Sequence, residues 1–250
     1  MNGPPALHRK MRPSAAFVAL GEEGLRAIAE RIDTLFHRDD VEDVHALRVA
    51  VRHLRAVTWA FGPVLPQRVE ARWKRALRDV ADAASEVRDW DVFLAETLAP
   101  ALTMQPQDPV LAALIDVAQA RRSQAHGAMT ARLSQYRPSP LPTLHRDLLH
   151  IAAAPSGGGR LGAFATKRIR KARNRTRELA RVARDGETRH VHKLRIGNKR
   201  LRYSIEALSD VLPGRYRKRL RKKLVARQSE LGAIIDGAVA RRLMSECLSA

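Results

Sequence analysis

Residues 44–55 read Val-His-Ala-Leu-Arg-Val-Ala-Val-Arg-His-Leu-Arg, and residues 191–202 read Val-His-Lys-Leu-Arg-Ile-Gly-Asn-Lys-Arg-Leu-Arg. The second stretch follows the first by 147 positions, the separation of His45 from His192. On a helix turning roughly 100° per residue, His45, Arg48, Arg52 and Arg55 fall within about 80° of arc. Leu47, Val51, Leu54 and Phe61 take an adjoining apolar arc, so the spacing predicts a core-facing helix with one cationic stripe about 15 Å long. The second copy places His192, Arg195, Lys199 and Arg202 on the same arc, with Leu194, Leu201, Ile205 and Leu208 on the core side. Tyr203 lies next to that basic arc.

The repeat extends beyond the stripe. Val64-Leu65-Pro66 returns as Val211-Leu212-Pro213, Asp89 as Asp236 and Phe17 as Phe164. Residues 14–93 align with 161–240 without a gap, which is the length of a duplicated structural unit rather than of a solenoid period. Apolar residues recur at helical spacing almost throughout, and strand-type alternation is nearly absent, so the chain is expected to be all-α. The expected helices cover about 14–37, 41–61, 67–87 and 89–103 in the first repeat (14–105). Helices at about 108–135 and 141–153 form a connecting stretch (106–156). The second repeat (161–248) is expected to hold helices at about 161–184, 187–210, 213–231 and 233–248. Gly62-Pro63, Pro66 and Pro213-Gly214 mark the corners, and Ser156-Gly157-Gly158-Gly159 reads as a hinge. Short loops favour antiparallel neighbours, hence an up-and-down helical bundle in each half.

The 250 residues carry 46 Lys and Arg against 26 Asp and Glu, a formal charge of +20. That excess calls for a strongly anionic partner: nucleic acid, an acidic membrane surface or a polyanion such as polyphosphate. Much of it lies between Lys167 and Arg184 and between Arg215 and Lys223. With 45% hydrophobic residues the chain is globular rather than a disordered basic tail. The one cysteine, Cys247, cannot close an internal disulfide, which favours a reducing, cytoplasmic setting. Residues 1–13 read as a frayed basic arm without a secretion signal, and no segment has the length of a membrane span.

Arginine dominates the two stripes, and its planar fork grips phosphate oxygens two at a time. The stripe positions read as unpaired by acids four residues on, so the charges stay available for a ligand. Metal binding is the weaker reading of the histidines, because neither His45 nor His192 has a ligating partner at i+4, and His190 and His192 point about 200° apart. His8, His37, His53, His126, His145 and His150 read as surface or helix-end residues. Asp89 and Asp91 read as helix N-terminal acids paired with Arg88 or a stripe arginine.

The patterns His-x-Leu-Arg-(x)3-Arg-x-Leu-Arg at 45–55 and His-x-Leu-Arg-Ile-(x)2-Lys-Arg-Leu-Arg-Tyr at 192–203 resemble the CHAD domain, the conserved-histidine α-helical domain. Val87-Arg88-Asp89-Trp90-Asp91-Val92 is similar to the Arg-Asp-x-Asp-Val motif of that family's first half. Gln228-Ser229-Glu230-Leu231-Gly232 with Asp236 is similar to an element of its second half. Ala84-Ser85 departs from a usual Leu-Gly, and His53 stands where an arginine is common. The resemblance covers about residue 10 to 250 as one domain. It implies two four-helix bundles related by a pseudo-twofold axis, with a basic cleft between them that binds inorganic polyphosphate, and an association with polyphosphate granules. The ligands it implies are His45, Arg48, Arg52, Arg55, His192, Arg195, Lys199, Arg202 and Tyr203.

Two other functions compete. Non-specific nucleic-acid binding follows from the charge, but aromatic residues are only 4% of the chain, too few for a stacking platform. Catalysis on phosphate anhydrides lacks an acidic metal cluster, a P-loop and a nucleophile–base pair. No catalytic residue, cofactor or metal is therefore expected.

Overall fold

Asp40 marks the start of a helix. Its extended backbone and its carboxylate, which accepts from the Glu42 N–H at 2.8 Å, cap the helix that carries the first stripe. In a computed structural model of the chain this helix, α2, runs Val41–Phe61, after α1 at Pro13–Leu35. The structure describes residues 6–154, 159–214, 216 and 220–249, with the side chains of 221 and 227–236 left aside. Among the described residues there is no strand. Proline ends α2 in a tight turn at Gly62–Val64. Then follow α3 (Gln67–Ala83), α4 (Ser85–Phe93), a π turn at Leu94–Leu98, α5 (Ala99–Met104), α6 (Pro109–Ser134) and α7 (Leu141–Ala153). The second half holds α8 (Leu161–Val182), α9 (Thr188–Ala207) and α10 (Arg221–Leu248). Between α8 and α9 the chain reverses at Gly186, whose φ of 75° is left-handed and suits glycine.

The apolar arcs read from the sequence are buried. Leu47, Leu54 and Phe61 are 0% exposed and Val51 1%. Leu194, Leu201, Ile205 and Leu208 are buried likewise. Phe61 joins the halves: its ring is 5.9 Å from Phe17 on α1 and stacks at 5.4 Å on Phe164 of α8.

The connecting helices dock on the first half. Bare Gly21 on α1 lets Leu148 of α7 approach to where a Cβ would sit 2.7 Å away. Buried Asp147 of α7 accepts from Arg72 at 2.6 and 2.9 Å and from the Trp73 indole at 3.1 Å, tying α7 to α3. From α6, Arg122 bonds the enclosed Asp91 carboxylate of α4 at 3.0 Å and pairs with Asp39 ahead of α2.

Four expectations need correction. First, the arm is not frayed from residue 6 onward. Leu7 is 6% exposed, and Arg9 donates to the Val211 carbonyl at 3.0 Å. The Met11 and Arg9 carbonyls accept from Leu161 and Gly162, capping orphan N–H groups at the start of α8. Second, the α3–α4 corner falls at Ala84 rather than near Arg88. Its carbonyl, released at the helix end, accepts from Arg48 at 3.1 Å. Third, α10 continues through Gly232 where two helices were expected. An internal glycine costs a helix only about 1 kcal/mol, which does not by itself end one. Fourth, His53 and His126 are half-buried rather than surface groups. His53 faces the charge of Glu206, and His126 lies 3.4 Å from Asp39.

No described helix is long and apolar enough to cross a membrane. Residues 156–158 of the expected hinge, and Arg215, Arg217, Lys218 and Arg219 of the second basic run, lie outside the described residues. So do the side chains of the Gln228–Gly232 element and of Asp236.

A candidate polyanion cleft between α2, α3 and α9

The helix α2 buries its apolar arc against α1 and turns its basic stripe toward α9, with which it packs directly. A cleft of about 430 Å³ opens beside this contact. Arg48, Arg52 and Arg55 line it from α2, and Lys199, Arg200 and Tyr203 line it from α9. Lys74 and Arg78, one helical turn apart on α3, form the third wall. Five of the nine expected ligands thus meet around one volume. Arg202 packs on the Tyr203 ring, and it, His45, His192 and Arg195 are outside the cleft lining.

The ring of Tyr203 is the hub. Arg52 approaches its face at 4.9 Å from α2, and Arg202 approaches at 5.1 Å from its own helix. Arg202 also donates to Glu206 at 3.1 Å. That bond corrects the expectation that no stripe position has an acid four residues on. Arg48 is only partly a ligand candidate: it spends its Nη1 on the Ala84 carbonyl and, at 3.0 Å, on the Ser85 hydroxyl. The departure at Ala84-Ser85 therefore gives Arg48 a hydroxyl partner.

The electrostatics of the cleft are strained in one direction. Burial lowers the pKa of the Arg48, Arg55 and Arg200 guanidinium groups below the usual arginine value, and Arg55 itself adds repulsion at Arg200. Burial, followed by the charges of Arg88 and Arg52, holds His45 below the ordinary histidine range. Among the described residues Arg52, Arg55, Arg78 and Arg200 form no salt bridge, and the Arg52 Nε is enclosed without a hydrogen-bond acceptor. Such a site gains when an anion enters, because each oxygen supplies an acceptor and relieves repulsion among the cations.

Sequence reasoning missed Lys74, Arg78, Arg200 and Trp59. Arg200 was detectable, since it occupies in the second repeat the place of His53, where the family pattern favours arginine. Lys74 and Arg78 share a face of α3 one turn apart, a signal that was present but shorter than the stripe. Trp59 gave none. It is held from α8 by Arg168, 4.1 Å from its ring, whose guanidinium also donates to the Trp59 and Ala60 carbonyls at 2.6 and 3.0 Å. Asp91 is buried against Arg122, and Asp89 lies 3.4 Å from Arg242 of α10. Asp89 also acts electrostatically on Arg48 of the first stripe, and Arg88 acts on Asp91.

The described residues form helices and turns without a strand, and arginines from three of the helices converge on one cleft. The model of the CHAD domain matches residues 19–245, and the chain belongs to the CHAD domain family. Among solved structures it is similar to the CHAD domain from the plant Ricinus communis, with 27% identity and a TM-score of 0.75, over 97% of this chain and 81% of that one. It is also similar to PptA from Streptomyces chartreusis, with 15% identity and a TM-score of 0.58, over 95% of this chain and 94% of that one, a likeness of fold alone. No curated protein matches the chain.

Proposed function

We propose that this protein binds inorganic polyphosphate in the cleft between α2, α3 and α9, and that it does so as a polyphosphate-granule-associated binding module rather than as an enzyme. The observation that carries the reading is the convergence of Arg52, Arg55, Arg78 and Arg200, without salt bridges among the described residues, on one cleft of about 430 Å³. A chain of linked phosphates is thin, flexible and charged along its whole length, so it can thread such a volume and present oxygens to every wall. Arg48, Arg52, Arg55, Lys199 and Tyr203 are assigned to the cleft contacts. His45, His192, Arg195 and Arg202 are assigned to the same two ridges beyond it, where a longer polymer runs on.

The assignment sits on a duplicated helical unit with pseudo-twofold symmetry. In support, α1 and α8 end 147 positions apart, at Leu35 and Val182, and α2 and α9 begin 147 apart, at Val41 and Thr188. Each of the latter pair is followed by a tight turn, at Gly62–Val64 and at Ser209–Val211. Two stripes of one origin then face one ligand.

Nucleic acid is the second reading, favoured by the formal charge of +20. A duplex is too wide to enter the cleft and would lie on the surface, held by screened charges alone. Replacing Arg55 and Lys199 together by Glu distinguishes the two. Polyphosphate affinity is expected to fall at least about a hundredfold, at roughly 1.4 kcal/mol per decade, with duplex DNA binding reduced only slightly and helicity unchanged. Equal losses for both polymers would refute the cleft assignment.

A further inference from the structure

A second hollow, of about 260 Å³, adjoins the cleft, and the two share Trp59, Ile196 and Arg200 as a common wall. Its character is different. Ala172 and Leu179 of α8 and Ile196 and Gly197 of α9 make its surface mostly apolar, with Lys193 and Arg175 at the edge. A phosphate polymer has nothing to place there, since resting its oxygens on aliphatic carbon forfeits hydration without a bond in return. A ligand with an anionic tail and a flat, weakly polar head uses both spaces.

We propose that the paired hollows bind a nucleoside polyphosphate, with its phosphates on the cleft arginines and its base in the apolar hollow beside Trp59. The proposal extends the polyphosphate reading to a second ligand class and uses the same arginines for the tail. Arg200, on the shared wall, is placed to hold the phosphates next to the sugar. Trp59 is fixed in advance: Arg168 stacks on it at 4.1 Å and is itself anchored on the Trp59 and Ala60 carbonyls. The base therefore meets an ordered ring and pays little to organise it. The hollow has little with which to read base edges. The Thr176 hydroxyl spends its proton on the Ala172 carbonyl at 2.9 Å, and Arg175 is engaged by Glu178 at 3.0 Å. Affinity should consequently follow base area, with purines ahead of pyrimidines.

The chain carries its own reporter. Of its three tryptophans, Trp73 and Trp90 are 0% and 1% exposed, whereas Trp59 is only partly covered. Titration of the full chain with ATP and with tripolyphosphate, three phosphates each, is followed by calorimetry and by tryptophan emission. ATP is expected to bind roughly tenfold to a hundredfold more tightly, the range of one stacked base, and to quench the accessible indole, with UTP weaker than ATP. Tripolyphosphate is expected to bind without quenching. Leu179→Gln, on the half-buried wall of the hollow, should bring ATP down to the level of tripolyphosphate and leave the latter unchanged. ATP binding no tighter than tripolyphosphate, with emission unmoved, overturns the proposal while the polyphosphate reading stands. Tight, quenching ATP binding without any tripolyphosphate binding supports the proposal and sinks the polyphosphate reading. Absence of both overturns both.

Discussion

The Arg52 guanidinium of α2 stands 4.9 Å from the centre of the Tyr203 ring on α9, and Arg202 stands 5.1 Å from the same ring. Tyr203 is 6% exposed, so both cations meet it with little water between. One side chain thus holds the two stripe helices in register and aims Arg52 into the cleft.

Tyr203→Leu removes the ring and keeps most of the buried volume. Each cation–π contact is worth about 0.5–2 kcal/mol, so the loss of both should cost about 1–3 kcal/mol in urea unfolding. Tyr203→Phe keeps the quadrupole and should cost less than half as much. Equal losses for Leu and Phe would show that the phenol, not the ring, carries the contact.

The Asp91–Arg122 pair governs the docking of α6. The Asp91 side chain is 0% exposed and that of Arg122 11%. Removing one partner strands a buried charge, so Arg122→Ala should destabilise by about 3–5 kcal/mol. Burial already raises the Asp91 pKa above its ordinary value. Adding Asp91→Asn to Arg122→Ala should therefore recover a large part of the loss, as a double-mutant cycle will measure.

His45 and His53 are both held below the usual histidine pKa, chiefly by burial. In acid the unfolded chain then binds protons that the folded chain resists, so stability rises with pH. The penalty begins as pH falls through about 6.5, the unfolded value, and grows until the folded groups titrate. Thermal unfolding between pH 8 and pH 5 should show Tm dropping below that point. His53→Gln should flatten the drop, and a slope unchanged in that variant would exonerate His53.

The stripes were legible in the sequence because a helix that must bury Leu47, Val51 and Leu54 has no freedom in where Arg48, Arg52 and Arg55 point. The all-α class followed from the same periodicity. What escaped was set by contacts between distant segments. The corner at Ala84 meets a guanidinium from α2, and the arm at Arg9 and Met11 is held by the start of α8 and by the Val211 carbonyl. His53 is half-buried, and the charge that reaches it, Glu206, lies far away in sequence on α9. The third wall of the cleft, Lys74 and Arg78, comes from a helix outside the stripe motif, and no periodicity within α2 or α9 points to it.

The central claim is selective capture of phosphate polymer in an arginine-lined cleft, and competition tests it most directly. Labelled polyphosphate is bound to the protein at physiological salt and challenged with duplex DNA at equal phosphate concentration. The polymer is expected to stay bound while unlabelled polyphosphate displaces it at the same concentration. Displacement by DNA as readily as by polyphosphate would contradict the account and leave only a basic surface.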